Sequence, residues 1–203
     1  MAKYKYKKTR VFPIILLLIV TAVVIAALFS LARFVFFPDT TDQTTSVANK
    51  VVDSRDALLK TDANRSVRMI TRGPIVADEN FRSSQITINP ATRIITLYTG
   101  YLDKKIDETS YANNIPAYTE FVYALAKANF FDSNAEDKDT RGVCAPGYVY
   151  VFDVLKDDKV IDSRWTSTCG GSKGSLTAYL PQVKALFDSQ IPDLKSIIKK
   201  NNL

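Results

Sequence analysis

The chain has 203 residues, a formal net charge of +6, no histidine and two cysteines. Without histidine it lacks the commonest general base, the commonest metal ligand and the usual near-neutral pH switch, so any catalysis would have to run on carboxylates, Lys, Tyr, Ser or Cys. The charge does not point to nucleic acid: Lys3, Lys5, Lys7, Lys8, Arg10 and Arg33 carry the excess, the acidic residues begin at Asp39, and basic and acidic residues balance beyond Arg33.

Val11 to Ala32 is uncharged and almost wholly apolar. At about 1.5 Å of helix rise per residue it is long enough to cross a hydrocarbon core of about 30 Å. The basic residues before it predict a cytoplasmic tail and an exported remainder. A cleaved signal peptide has a shorter apolar core, and although Ser30-Leu31-Ala32 has the small-x-small shape of a cleavage site, Arg33 follows it directly. A buried core helix would show a polar face, and this run has none. Arg33, Phe34, Phe36 and Phe37 suit the outer boundary of a bilayer. The expected organisation is a cytoplasmic tail over residues 1–10, a transmembrane helix over 11–37, a polar spacer or stalk over 38–64, and an extracytoplasmic domain over 65–203.

The exported domain reads as α+β. Val67 to Thr71 is a first strand stopped by Gly73-Pro74. Phe81 to Ile88 and Arg93 to Thr99 alternate around the turn signal Asn89-Pro90-Ala91-Thr92, which completes an antiparallel meander. Asn113-Asn114 offers a helix cap and Pro116 a first turn, before Tyr118, Phe121, Val122 and Leu125 at i, i+3, i+4 and i+7. Gly147 to Leu155 and Val160 to Thr168 form a second hairpin around Lys156-Asp157-Asp158-Lys159. Its first strand has apolar residues on both faces, which predicts a covered, central position. Pro181 and Pro192 open two closing helices. The order is strands, helix, strands, helices.

Cys144 and Cys169 both fall in the exported part, where disulfides persist, and they read as a bridge. A metal site would need distant carboxylates to complete its ligand set, and a catalytic thiol has no basic partner. No cofactor or metal is implied. Cys169-Gly170-Gly171-Ser172-Lys173-Gly174-Ser175 can expose backbone N–H groups to an anion but lacks the P-loop spacing, and a flexible turn explains it as well. Asp132, Asn134, Glu136, Asp137 and Asp139 resemble a calcium loop, yet Asp137 and Val143 stand where glycine and glutamate are needed, so a solvated acidic loop is the better reading.

Arg65, Arg68, Arg72, Arg82 and Arg93 crowd the meander, with Arg68 and Arg72 on one face. With Lys173, the residues Arg68, Arg72 and Arg82 are the candidate anion-binding set, for a phosphate headgroup or an anionic polymer such as teichoic acid. The alternative is a sheet face kept soluble by charge. Tyr98, Tyr101, Tyr111 and Tyr118 offer either a contact surface or core packing with hydroxyls at the rim. Ser83, Ser84, Ser172 and Ser175 have no recognisable catalytic setting.

The run Arg72-Gly73-Pro74-Ile75-Val76-Ala77-Asp78-Glu79-Asn80-Phe81-Arg82, with Gly100-Tyr101-Leu102 downstream and the Cys144/Cys169 pair, resembles a group of uncharacterised single-span exported proteins of Saccharibacteria-type bacteria. The resemblance covers most of the exported domain and implies a surface location on a cell that depends on contact with others; it carries no assigned activity. The layout of tail, span, stalk and head is also similar to pilus-assembly and pilin-like proteins. It departs from pilins in lacking an acidic residue near the start of the apolar helix and a processing glycine before it.

The leading expectation is therefore a binding or scaffolding module held in the bilayer by residues 11–37, with an envelope protein or anionic polymer as partner, no enzyme activity and an open oligomeric state. One alternative is an envelope or pilus-type assembly subunit. The other is an envelope-polymer enzyme working through carboxylates, for which Asp153 and Asp162 are the nominees.

Overall fold

The computed structural model describes Asp56 and residues 59–132, 139–171 and 174–201. The tail, the expected span, most of the spacer, the middle of the acidic loop and Lys173 lie outside those residues. No helix among the described residues is long and apolar enough to cross a membrane.

The elements run β1 (Arg65–Arg72), β2 (Arg82–Ile88), β3 (Thr92–Thr99), β4 (Lys104–Ala112), α1 (Ile115–Lys127), β5 (Val149–Lys156), β6 (Lys159–Ser167), α2 (Leu180–Asp188) and α3 (Leu194–Lys200). The strands make one antiparallel sheet in the order β4-β3-β2-β1-β5-β6. The expected α+β order of strands, helix, strands, helices holds. The chain winds outward from β1 to the β4 edge, returns through α1, and lays β5 on the other side of β1.

Register explains why one face of this sheet is the core. Val67 stands opposite Ile88 and Val154, Met69 opposite Ile86 and Phe152, and Ile86 opposite Ile95, so seven apolar residues from four strands share a side. Tyr118, Phe121, Val122 and Leu125, the stripe read from the sequence, are all buried against it. Val183 and Phe187 of α2 add a second contact, with Phe121 edge-on to Phe187 at 5.2 Å and Phe152 tilted against Phe187 at 5.8 Å. Burying each such side chain contributes about 1.5–3 kcal/mol.

The helix starts follow local chemistry. The Asn114 side chain accepts the Ala117 N–H at 2.9 Å, capping α1 with Pro116 in its first turn. Pro181 occupies the first turn of α2. Pro192 lies just outside α3, whose cap is Asp193 in the left-handed region with φ 54°. The turn between β5 and β6 needs two left-handed residues and uses Asp157 (φ 52°) and Asp158 (φ 60°), the conformation that matches the twist of a two-residue hairpin.

β4 is the strand that the alternation pattern does not reveal. Its residues are largely exposed or half-buried, with Lys104, Lys105, Asp107 and Glu108 along it, which is how an edge strand avoids pairing with another chain. Its middle is tied to the C-terminal end of α3: the Asn201 side-chain amide donates to Asp107 at 3.0 Å, which, with help from the Glu108 backbone N–H and Lys200, holds the Asp107 carboxyl below its usual range.

Candidate functional site

A cleft of about 380 Å³ opens on the helix side of the sheet, near the end where β1 runs into the Gly73-Pro74 turn. Its floor is Met69 and Thr71 of β1 with Ile86 and Ser84 of β2, cross-strand neighbours on one face. Leu194 and Ile198 of α3 and the Lys184–Asp188 ion pair of α2 close it from above. Tyr148 and Tyr150 form one wall, and Val76 and Arg82 stand at the rim. Burial, helped by Tyr148 and the Asp188 carboxylate, raises the Tyr150 phenol, so it stays neutral and hydrogen-bonding at ordinary pH. A wider depression of about 520 Å³ follows the α2–α3 linker, but Asp188 to Ser196 alone line it and it has no sheet floor.

The rim is built from the stretches that carried the family resemblance. Tyr101 donates its hydroxyl to the Val76 carbonyl at 2.6 Å and accepts the Val76 N–H at 3.0 Å, while its ring stacks on Phe81 at 4.2 Å. The Asp78 carboxylate accepts the Tyr101 N–H at 2.7 Å. It also fills the space beside Gly100, where φ is +73° and an added Cβ would lie 3.0 Å from a carboxylate oxygen. Residues distant in sequence thus form one rigid lip, with Ile75, Val76, Tyr101 and Leu102 exposed on it.

Behind the tyrosine wall sits the expected disulfide. Cys144 and Cys169 are bonded, with Cα atoms 5.6 Å apart. Thr168, beside Cys169, accepts the Tyr148 N–H at 2.9 Å and so fixes the wall to the bridge. Gly147 is required there, because a Cβ would come within 2.3 Å of Thr168 Oγ1 and 2.8 Å of Cys144 Sγ. The bridge fits an oxidising, extracytoplasmic compartment.

The arginines of the meander separate. Arg68 and Arg72 do share a face, but it is the one opposite the helices. There Arg68 sends Nε at 2.9 Å and Nη2 at 2.6 Å to Asp153, whose other oxygen accepts Ser163 at 2.7 Å. Arg72 lies 4.0 Å from Asp103. Arg93 donates to the carbonyls of Ala112 and Gln190, and Arg65 is buried at the other end of β1. Of the described members of the candidate set, Arg82 alone lines the cleft. Its Nη1 donates to the carbonyls of Glu79 (2.7 Å) and Phe81 (2.9 Å) and to Thr99 Oγ1 (2.6 Å), while its buried Nε has no hydrogen-bond partner. A buried donor left unmatched costs about 1–3 kcal/mol.

The two carboxylates nominated for catalysis are not brought together. Asp153 faces Ser163 and Asp162 faces Val154 across the same hairpin, so they project from opposite sides of the sheet. Each is held by an arginine: Asp153 by Arg68, and Asp162 by Arg164, whose guanidinium lies 4.4 Å from the centre of the Phe131 ring in the core. Neither lines a cleft described here. Among the described residues no three metal-ligating side chains converge. The four tyrosines also disperse: Tyr118 is core, Tyr111 donates its hydroxyl to the Pro192 carbonyl, Tyr101 locks the lip, and Tyr98 lies on the open face. The tyrosines that do form a site, Tyr148 and Tyr150, read in the sequence only as strand residues. No protein-family model matches the chain, and the curated proteins contain no match to it.

Proposed function

We propose that this chain is a single-pass membrane protein, N-terminus inside, whose extracytoplasmic domain binds a small ligand in the cleft between the sheet and its last two helices. The observation that carries the reading is the cleft itself: an apolar floor, two tyrosines and one incompletely paired arginine, in the size range of about 300–1,000 Å³ usual for ligand sites. The apolar run from Val11 to Ala32 and its basic flank support the anchor, and the disulfide supports the outside location.

Native mass spectrometry of the full-length protein, taken from its own membrane into nanodiscs, tests this. A co-purified small molecule of defined mass is expected, absent from a Ser84→Leu variant that fills the floor. A bare protein mass in both would contradict the binding reading. External protease should cut the domain on intact cells; protection until lysis would reverse the orientation.

A second reading, an envelope assembly subunit, is favoured by the lip, where Leu102 is 96% exposed beside Ile75, Val76 and Tyr101. Crosslinking through cysteines placed on that lip, in intact membranes, should give dimers or higher species if it holds. Monomer alone would remove it.

A further inference from the structure

We infer that the cleft takes a small amphiphilic carboxylate, its alkyl body on Met69, Ile86, Leu194 and Ile198 and its anionic head on Nη2 of Arg82. This rests on the reading of the cleft as a ligand site. Three observations lead to the ligand class.

The first is charge. Among the lining residues the ionised groups are Arg82, Lys184 and Asp188, and the last two neutralise each other. One positive charge remains, which suits a monoanion better than a neutral ligand or a dianion. Tyr150, kept protonated by burial, adds a donor without adding charge.

The second is geometry within the guanidinium. Arg82 is clamped by Nη1, through Glu79, Phe81 and Thr99, which orients the group; Nε is buried beyond a ligand's reach, and Nη2, for which no described residue is an acceptor, is the nitrogen left for one. The corresponding Nη2 of Arg68 donates to the Asp153 carboxylate at 2.6 Å. The protein therefore contains a worked example of what Nη2 of Arg82 can hold: a carboxylate.

The third is the body of the cleft. Met69 and Ile86 below, and Leu194 and Ile198 above, are apolar, with the Thr71 and Ser84 hydroxyls beside them. A ligand satisfying only the arginine would leave this surface wet, so an alkyl chain on the carboxylate is required.

The test uses full-length protein in nanodiscs and equilibrium dialysis of radiolabelled octanoate, octanol and octylammonium, each corrected for uptake by empty discs. Octanoate should bind saturably, one per chain, at least about tenfold tighter than octanol, with octylammonium at background. Affinity should rise about three- to fourfold per methylene from hexanoate to octanoate. Arg82→Gln should bring octanoate down to the octanol level and leave octanol unchanged, and Ser84→Leu should abolish both. Since Arg82→Gln also removes the Nη1 contacts, folding is checked through the fluorescence of Trp165, and the headgroup comparison on the unaltered protein stands without any variant. Equal uptake of octanoate and octanol would overturn the carboxylate assignment and leave the ligand cleft standing. Octanoate binding that survives Ser84→Leu would place it elsewhere and overturn the inference. Background uptake of all three would also overturn it, with the fate of the cleft itself read separately from the co-purified mass.

Discussion

Arg68 and Arg82 lie on adjacent strands of one sheet, on opposite faces, and differ in what their guanidinium groups hold. Arg68 meets an internal carboxylate and Ser163 completes that partner's coordination, so the site is saturated. Arg82 is clamped by one nitrogen against backbone carbonyls and a threonine, and its buried Nε is left without an acceptor. Arg164 also meets an internal carboxylate, with Asp162 beside it and Phe131 beneath its charge. The difference teaches where to look for a ligand: not where positive charge is dense, but where a cation that lines a cleft lacks an internal anion, which sets Arg82 apart from Arg65, whose Nε and Nη1 are unpartnered but buried away from the cleft.

The strongest way to sharpen that contrast is to remove the anion from an engaged arginine. Asp162→Ala should cost about 3–5 kcal/mol, because it strands the buried Arg164 charge. Urea unfolding followed through Trp165, the single tryptophan, reads this directly. A joint replacement of both residues by leucine and methionine should recover most of the loss.

The open end of the sheet is not simply loosely held, and the disulfide allows that to be checked. Replacing Cys144 and Cys169 together by alanine releases a cross-link with a sequence separation of 25 residues and should lower stability by about 3–4 kcal/mol. Thiol labelling of untreated protein should find no free cysteine.

Asp153→Asn, at the partly exposed Arg68 site, should cost less, about 2 kcal/mol in the same unfolding measurement. Arg82→Met is expected to change stability by under about 1 kcal/mol, since the lost Nη1 bonds are offset by removal of an unmatched buried donor. If Arg82→Met were as damaging as Asp162→Ala, Arg82 would be a structural arginine and the contrast would fail.

The smallest effect is a pH dependence outside the cleft. Hydrogen bonds from Arg141 hold the exposed Asp139 at about 2, against an ordinary value of 3.8. Because the folded value is depressed, the ordering this contact gives residues 139–141 is fully present above 3.8 and lost as pH falls through about 2. A carboxyl-carbon titration by NMR should find that midpoint, with the Arg82 side chain unmoved across it.

Much of the fold was legible because the core strands and α1 carry their burial pattern in alternation and i, i+3, i+4 spacing: Val67, Met69, Ile86 and Ile88 on the sheet, Tyr118 to Leu125 on the helix. β4 was not, because an edge strand that must stay soluble replaces that pattern with Lys104, Lys105, Asp107 and Glu108. The site was legible only in part. Arg82 stood among the candidate cations, but nothing in the spacing of the arginines says that Arg68 finds Asp153 and Arg82 finds no carboxylate. That depends on which strand lies beside β1, and β5 arrives there from more than seventy positions away. Tyr148 and the α3 residues join the cleft through the same long-range pairing.

The most direct measurement of the central claim is a nitrogen–proton correlation spectrum of the arginine side chains in the full-length protein, recorded as octanoate is added. The Nη2–H signal of Arg82 should shift downfield and become protected from exchange in a saturable manner, while those of Arg68 and Arg164, already engaged, stay in place. An Arg82 signal that does not move at saturating octanoate, or that moves no more than the other two, would contradict the claim that its Nη2 is the anion site.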